Sequence, residues 1–429
     1  MPALVGFIMI AIIIVALIKF KMLPITVFAT LPFIAAAVLG FGVVDIFTMT
    51  AKGVISVLPT ATLFVFSITY FGIMTDVGLF DRPIAWLTKH MKTSVFGIMV
   101  ATILISIVGH LDGSGTTTLM IAVPAIFPIV EKLKIRKLPV AFMLTMTIAV
   151  MNLLPWGGPM GRAAVVLSMD VTDLWKQILP VQIFGIVVLF VFAWFLAKSE
   201  EKRGFAAQPY DGDISGTEAK ERELARPKLF WFNLILTVIV IALLFFGCPA
   251  FLPFMIGVAI ALPVNYGKNG DTAMTARIKA HAGNVVPMIL TIMGAGIFLG
   301  VLNNAGIISA MASTIVSVFP KALGRFADVI FGIFSYPLAI IFDADSMVLG
   351  LVPFIAEVGE AYGVPQINTV LAMTVGYDMG VGLCVTGAAV YFGCGLMGIE
   401  YRDSLKYSFF KAMIFSVALV VFGVIIGAF

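Results

Sequence analysis

Charged residues are scarce in this 429-residue sequence, at 12% of the chain against about 25% in an average soluble domain. Hydrophobic residues reach 61%, and the few charges are confined to short stretches between long uncharged runs. A soluble fold cannot bury so much apolar surface, whereas a lipid bilayer accommodates it. The composition therefore excludes a conventional soluble enzyme and predicts an all-α polytopic membrane protein.

Residues for several kinds of site are also missing. The three cysteines lie in apolar stretches without CxxC spacing, which argues against a disulfide framework or a zinc site. The three histidines are far apart, so no HExxH metal helix exists, and the chain has no GxxxxGK[ST] phosphate loop. The net charge of +4 gives no basis for nucleic-acid binding. We expect no resident cofactor or metal.

The apolar runs predict ten spans, because a helix needs about 20 apolar residues to cross a bilayer. We place these spans near 3–18, 24–48, 54–80, 138–167, 177–197, 229–247, 250–266, 283–303, 366–392 and 405–427. Two further apolar stretches, about 94–130 and 326–358, are each broken by a polar tip, HLDGSGTTT from His110 and FDADS from Phe342. Each half is short for a crossing, so we expect two re-entrant hairpins.

The distribution of basic residues supports this topology. Only Lys52, Lys176, Lys321 and Arg325 would lie on one face and Arg162 within a span, while all the other Lys and Arg residues, out of 27, share the opposite face. By the positive-inside rule that face is cytoplasmic, and both termini are then extracytoplasmic. Residues 199–228 are polar with charges of both signs, and we interpret them as a cytoplasmic linker.

The two halves of the chain resemble each other. FGIMTDVGLF from Phe71 matches LGVLNNAGII from Leu299 at an offset of about 228, and LTMT at Leu144 matches LAMT at Leu371. We therefore divide the chain into a first repeat, 1–198, and a second repeat, 229–429. Each repeat has five spans, an odd number, so the second is inverted. Inverted repeats with interrupted helices are typical of secondary transporters.

Two spans contain residues that a regular helix does not tolerate. The fourth reads PWGGPMGR from Pro155 and the ninth reads GYDMGVG from Gly376. Prolines and closely spaced glycines interrupt a helix, and irregular backbone at membrane depth persists only where it is buried or lines a cavity. N–H groups at the start of a half-helix suit an anion. We expect the binding site at these two breaks and the two hairpin tips.

The ionisable residues in these segments are the first candidates. Arg162 is the only basic residue within a span, so it either pairs with Asp112 or Asp378 or contacts an anionic substrate. Asp112 either caps the return helix of its hairpin or binds a cation or proton. Asp343 and Asp345 would repel each other unless a cation or proton lies between them. Asp378 has the same alternatives as Asp112.

Two neutral side chains join the candidates for cation or proton coupling. His110 lies at the first tip and is either a proton carrier or a hydrogen-bonded structural histidine. Asn152 lies just ahead of the fourth-span break and contacts either a ligand or a neighbouring helix. The sequence does not decide between the two roles of either residue.

Several motifs resemble the citrate–metal:proton symporter (CitMHS) family of the ion transporter superfamily. They are YFGIMTDVGLFD from Tyr70, LDGSGTTT from Leu111, MNLLPWGGPMGR from Met151, WFNLILTV from Trp231, AHAG from Ala280 and GLVPFIAEVGEAYG from Gly350. The resemblance implies a homodimeric, elevator-type carrier in the plasma membrane that imports citrate with a divalent metal, driven by protons. It also implies horizontal arm helices near 82–93 and 310–325.

The resemblance also implies site residues. Substrate binding falls on Ser114, Gly115, Thr116, Gly157, Gly158, Arg162, Ser346 and Thr386, and cation or proton handling on Asp112, Asp343, Asp345 and Asp378. The FDADS tip and the GYDMGVGLCVTGAA stretch depart from the family pattern. The alternatives are therefore a carrier of another di- or tricarboxylate or a hydroxy acid, coupled to protons or sodium, and more remotely an intramembrane hydrolase using Asp378 and Asp345.

Overall fold

The computed structural model describes residues 1–90, 94–204, 223–318 and 320–429, and this part of the chain contains helices but no β-strand. The helices of the first half are α1 (Pro2–Ile18), α2 (Pro24–Val38), α3 (Val43–Asp76), α4 (Asp81–Lys89), α5 (Val95–Gly109), α6 (Gly115–Lys132), α7 (Lys137–Met151), α8 (Gly158–Leu167) and α9 (Val171–Lys202). Those of the second half are α10 (Phe230–Leu243), α11 (Phe251–Tyr266), α12 (Gly270–Asn304), α13 (Ile307–Val318), α14 (Lys321–Gly324), α15 (Ala327–Ile341), α16 (Val352–Ala361), α17 (Gln366–Val381), α18 (Ala388–Met397) and α19 (Tyr401–Ile425).

Five helical segments in the described part of the chain are long and apolar enough to cross a membrane. They are Val43–Asp76, Val171–Lys202, Pro227–Phe246, Gly270–Asn304 and Tyr401–Ile425. Shorter apolar helices, among them α1, α2 and α11, accompany them. This composition of apolar helices is that of a multi-pass membrane protein.

Two predicted boundaries are wrong. The span predicted at 24–48 ends at Val38, because Gly40, with φ of 87°, turns the chain before α3 begins at Val43. Helix α3 then continues unbroken through Pro59, so the predicted gap between spans at 48–54 lies inside one helix. The predicted linker begins within α9, which extends to Lys202, and residues 205–222 of that linker lie outside the described residues.

The helices form two groups, each drawn from both halves of the chain. Helices α1–α3 and α10–α13 pack on one another and make the first group, while α5–α9 and α15–α19 make the second. Helices α3 and α12 meet α8 between the groups, and α13 packs on α16. The segments expected to bind ligand therefore lie in the second group, against the long helices of the first.

Helices α3 and α12 cross at small residues. A methyl group at Gly53 would overlap the carbonyl oxygen of Gly296, and one at Gly300 would lie 2.7 Å from the Gly53 Cα. Only glycine permits backbones to approach so closely. This crossing fixes the first helix group at its centre.

The ninth-span break is displaced from its predicted position. Helix α17 continues through the GYDMGVG segment to Val381, and the non-helical residues are 382–387. Glycine is required at position 376 because a side chain there would overlap the Gly332 carbonyl of α15. The glycine that suggested a break thus allows two helices to pack closely, and close packing and chain interruption look alike in sequence.

Each predicted hairpin stretch forms two helices joined at a polar tip. The first tip, residues 110–114, joins α5 to α6, and the second tip, residues 342–346, follows α15. The return from the second tip begins as a π-helix, Asp345–Leu351, before α16. π-Helical turns are rare and occur frequently at functional sites.

Candidate functional site

The first tip is organised by two short polar contacts. Asp112 Oδ1 accepts a hydrogen bond from the Ser114 N–H at 2.8 Å, and Ser114 Oγ accepts one from the Thr117 N–H at 3.3 Å. Ser114 is therefore the N-cap of α6, and Asp112 positions the cap rather than being the cap itself. The N–H groups of the first turn of α6, which includes Gly115 and Thr116, have no partner within the helix.

The fourth-span break is confirmed and lies against this tip. Helix α7 ends at Met151 and α8 begins at Gly158, as the PWGGP segment predicts. The Trp156 indole N–H donates to the carbonyl oxygen of Leu111 at 2.8 Å, which ties the break to the first tip. Gly157 is the N-cap of α8, so the starts of α6 and α8 lie near each other.

A cavity of about 360 Å³ lies between the two helix groups. Its wall from the second group includes Asp112, Ser114 and Gly158. Its wall from the first group is made by α3 and α12, from Phe64 to Thr75 and from His281 to Met288. We call this space the first cavity. It combines two helix starts, hydroxyl and carboxylate groups and an opposite wall of mixed apolar and polar side chains.

One charged cluster at the first cavity was missed by the sequence analysis. His281 Nε2 lies 2.9 Å from Asp76 Oδ2, and Arg277 Nη1 lies 3.5 Å from the same oxygen. His281 also lines the cavity, where it covers Gly72 of α3. The AHAG motif contains His281, but its partner Asp76 is 205 residues earlier in the chain, so no local pattern predicts the contact.

Arg162 is paired with a residue that the sequence analysis did not choose. Its Nε donates to Asp345 Oδ1 at 2.7 Å, whereas Asp112 and Asp378 were the expected partners. Both side chains are largely buried, with 14% and 16% of their surfaces exposed. The pair joins α8 to the second tip. The Arg162 Nη1 atom lies close to Gly158, in the wall of the first cavity.

The second tip is stabilised within its own turn. Asp343 accepts hydrogen bonds from the N–H groups of Asp345 and Ser346, each at 3.0 Å, and from the Ser346 hydroxyl at 2.6 Å. Asp343 and Asp345 therefore do not face each other without partners, because each has donors of its own. Ser346 is fully buried, and neither it nor Asp343 lines the first cavity.

Asp378, Asn152 and His110 meet away from the first cavity. His110 Nε2 lies 2.9 Å from Asn152 Oδ1, and Asn152 Nδ2 donates to Asp378 Oδ1 at 3.3 Å. A second cavity, of about 230 Å³, has Asn152, Asp378, Gly115 and Thr116 in its wall. Of the substrate residues predicted in the second half, Thr386 is exposed and lines neither cavity.

Comparisons with known proteins agree with this architecture. The family model CitMHS, described as Citrate transporter, matches residues 5–270. Two Bacillus subtilis (strain 168) proteins align with 100% of this chain over 99% of their own length: one named Citrate transporter, at 32% identity, and one named Mg(2+)/citrate complex secondary transporter, at 31%. The solved structure of the Alcanivorax borkumensis YdaH transporter has a similar fold, with a TM-score of 0.63 at 14% identity over 90% of this chain and 89% of that one.

Proposed function

Because the chain belongs to the CitMHS citrate transporter family, we propose that it imports citrate as a divalent-metal complex by proton symport. As a member of a transporter family it is not an enzyme, and the hydrolase alternative is rejected. The proposed substrate follows from the 31% identical relative named Mg(2+)/citrate complex secondary transporter. The metal is then part of the transported substrate.

The observation that carries the proposal is the first cavity. Its wall brings the start of α6, with Ser114, close to the start of α8, with Gly158. Two helix N-termini aimed at one space favour an anion with more than one carboxylate. Arg162 lies beside Gly158, so its guanidinium is positioned to contact a carboxylate at the edge of the cavity.

We propose that Ser114, Gly115, Thr116, Gly157, Gly158 and Arg162 bind the carboxylates. Gly115 and Thr116 line the second cavity, and Gly157 and Arg162 adjoin Gly158. Ser346 and Thr386 line neither cavity, so their expected contribution requires a different conformation. The Arg162 Nε is held by Asp345, so a carboxylate at the edge of the cavity first meets Nη1, beside Gly158. We expect the incoming carboxylate to compete with Asp345 for the guanidinium.

The contacts of α3 and α12 support an inverted repeat. Adding the offset of 228 takes Gly72 to Gly300 and Gly53 to His281. The structure pairs Gly53 with Gly300 and Gly72 with His281, so each contact maps onto the other. We propose that residues 1–198 and 229–429 are two inverted repeats of five spans with re-entrant hairpins at about 94–130 and 326–358.

The two helix groups fit an elevator mechanism. We propose that α5–α9 and α15–α19 move the substrate past the first group, with α4 and α13 as the connecting arms. The wall of the first cavity includes His281, which bonds Asp76 beside a basic segment assigned to the cytoplasm. We propose that this conformation faces inward and that both termini are extracytoplasmic in the plasma membrane.

We also propose that the carrier is a homodimer. Native mass spectrometry in detergent tests the dimer.

The decisive experiment is labelled-citrate uptake into proteoliposomes, with and without an inward proton gradient, adding divalent cations one at a time. We expect uptake that needs both a metal and the gradient. Absence of citrate uptake with every metal tried would contradict the substrate. Uptake driven by sodium instead of protons would contradict the coupling ion.

A second candidate is a carrier of the same fold for another di- or tricarboxylate or a hydroxy acid. The observation favouring it is the second tip, where Asp343 and Asp345 take positions at which the family resemblance leads us to expect Ser or Asn. Competition of labelled citrate uptake by unlabelled malate, succinate and tartrate separates the two. Stronger competition by one of these acids than by citrate would favour the second candidate.

A further inference from the structure

A chain of buried hydrogen bonds crosses the second helix group. It begins at Thr118 of α6, whose Oγ1 lies 2.8 Å from His110 Nδ1, and continues through Asn152 to Asp378 of α17. His110, Thr118 and Asp378 are fully buried. The chain links the first tip, the end of α7 and α17 without passing through the first cavity.

The donor and acceptor groups of His110, Asn152 and Asp378 set the direction of the hydrogen bonds in this series. The amide oxygen of Asn152 can only accept, so the His110 Nε2 that faces it carries a hydrogen. The Asn152 amide nitrogen is then turned towards Asp378 and donates to Oδ1. His110 thereby holds the amide in the orientation that provides Asp378 with a donor.

The second carboxylate oxygen of Asp378, Oδ2, differs from Oδ1 in its hydrogen bonding. Within the described part of the chain, no group donates a hydrogen bond to the buried Oδ2 atom. An ionised carboxylate with an unpaired buried oxygen is costly in free energy. A proton on Oδ2 removes the charge and leaves the bond at Oδ1 unchanged.

Among the residues that the structure describes, Asp378 forms no ion pair of its own. The cation within electrostatic range is Arg162 of α8, which Asp345 already binds. The Tyr336 hydroxyl of α15 donates its hydrogen bond to the Phe409 carbonyl rather than to Asp378. Cys394 and Ser404, from α18 and α19, line the second cavity together with Asp378. Tyr377, the neighbour of Asp378 on α17, lies within electrostatic range of Asp343 and Cys384.

The second cavity lies against the residue that carries this carboxyl group. Asn152 and Asp378 are in its wall, together with Gly115 and Thr116 of the first turn of α6. The next residues on either side, Ser114 and Thr117, line the first cavity. The start of α6 therefore separates the two cavities and contacts both.

We propose that Asp378 is the proton-binding residue of the transporter, and that it is loaded from the second cavity rather than through the substrate cavity. A hydronium ion in the second cavity gives up one proton: one of its O–H bonds breaks, an O–H bond forms at Oδ2, and a water molecule is left, so the carboxylate becomes the neutral acid. Asn152 and His110 are positioning residues: Asn152 donates to Oδ1 and leaves Oδ2 to be protonated, and His110 orients the Asn152 amide. The coupling to citrate rests on the proposed function, whereas the protonation of Asp378 does not.

The test uses the full-length protein in proteoliposomes and two transport assays. One measures exchange of labelled for unlabelled citrate at equal concentrations, which needs no net proton movement, and the other measures accumulation driven by a proton gradient. Asp378→Asn keeps the shape of the side chain but cannot be protonated. We expect this variant to retain exchange and lose accumulation. The matched control is Asp403→Asn, at an exposed position of α19, which should keep both.

A spectroscopic measurement tests the same assignment without citrate. Infrared difference spectra between high and low pH should show a protonated-carboxyl C=O band in the wild type that is absent in Asp378→Asn. If that variant does not fold, Asn152→Ala tests the assignment, because loss of the donor to Oδ1 should shift the band. His110→Gln should shift the pH dependence of accumulation without abolishing it.

Each failure points to a different conclusion. Accumulation by Asp378→Asn at the wild-type level, or a carboxyl band that survives in it or does not move in Asn152→Ala, would overturn the inference. A wild type that shows the band but no citrate exchange would instead overturn the proposed substrate and leave the protonation site standing.

Discussion

The two tips contain similar residues but use them in opposite ways. At the first tip Asp112 and Ser114 line a cavity, and Asp112 accepts hydrogen bonds from its own hairpin, among them one from the Ser114 N–H. At the second tip Asp343 accepts three hydrogen bonds, and Asp345 is held by Arg162. The difference arises because a cation on α8 faces only one of them. We infer that ligand enters at the first tip, and that the second tip joins only after Arg162 changes partners.

The largest effect is expected from Arg162→Gln, which removes the cation that distinguishes the tips. Loss of one partner of a buried ion pair costs about 3–5 kcal/mol, and the variant should also lose citrate transport. Thermal unfolding in detergent and proteoliposome uptake measure the two effects. Arg402→Gln, at an exposed position of α19, is the matched control. Normal uptake by Arg162→Gln would remove Arg162 from the site.

Thiol labelling should display the contrast between the tips directly. In a background with Cys248, Cys384 and Cys394 changed to Ser, a cysteine replacing Ser114 should react with a water-soluble maleimide, because Ser114 lines the first cavity. A cysteine replacing the fully buried Ser346 should be protected. Citrate with metal should slow the reaction at position 114. Equal labelling at both positions would mean that the tips are equally accessible.

A smaller effect is expected from Asp345→Asn. A neutral amide competes less strongly for the Arg162 guanidinium than a carboxylate does, by about 1 kcal/mol, so citrate affinity should rise roughly five-fold. Isothermal titration calorimetry with the metal–citrate complex measures this change. Asp343→Asn is the control, because Asp343 bonds its own turn rather than Arg162. Equal changes in both variants would argue against competition.

The smallest effect is expected from Ser114→Ala, which removes the N-cap of α6. Loss of a serine cap costs about 1 kcal/mol. We expect a modest fall in thermal stability, together with weaker citrate binding, because Ser114 also lines the cavity. Ser94→Ala, which removes the N-cap of α5 outside the cavity, should lower stability without changing citrate affinity. Equal affinity in the two variants would show that Ser114 only caps the helix.

The sequence predicted the membrane class, the family, both tips and the fourth-span break. These features depend on composition or on local chemistry, such as Pro155 and Gly157 in one short segment. The glycines of α17 suggested a break in the helix, but Gly376 instead allows α15 to pack closely. This role depends on the position of Gly332 in another part of the chain.

The partners of the candidate residues could not be read from the sequence. Arg162 and Asp345 are 183 residues apart, and Asn152 and Asp378 are 226 apart. The sequence offered several carboxylates as partners of Arg162, and only the packing of α8 against the second tip selects Asp345. Candidate residues were therefore identifiable, whereas their pairing depended on how the two halves of the chain pack together.

The π-helix at Asp345–Leu351 has a mechanical consequence. A π-turn holds one residue more than an α-turn, so the segment contains one residue in excess of a regular helix. Rewinding it into α-helix would rotate the residues ahead of it by about 100° and advance them by about 1.5 Å. This rotation would change the contact between Asp345 and Arg162 while α16 stays intact. Rewinding of the π-turn would therefore change the contacts of the second tip by rotating a short helical segment, without unfolding it.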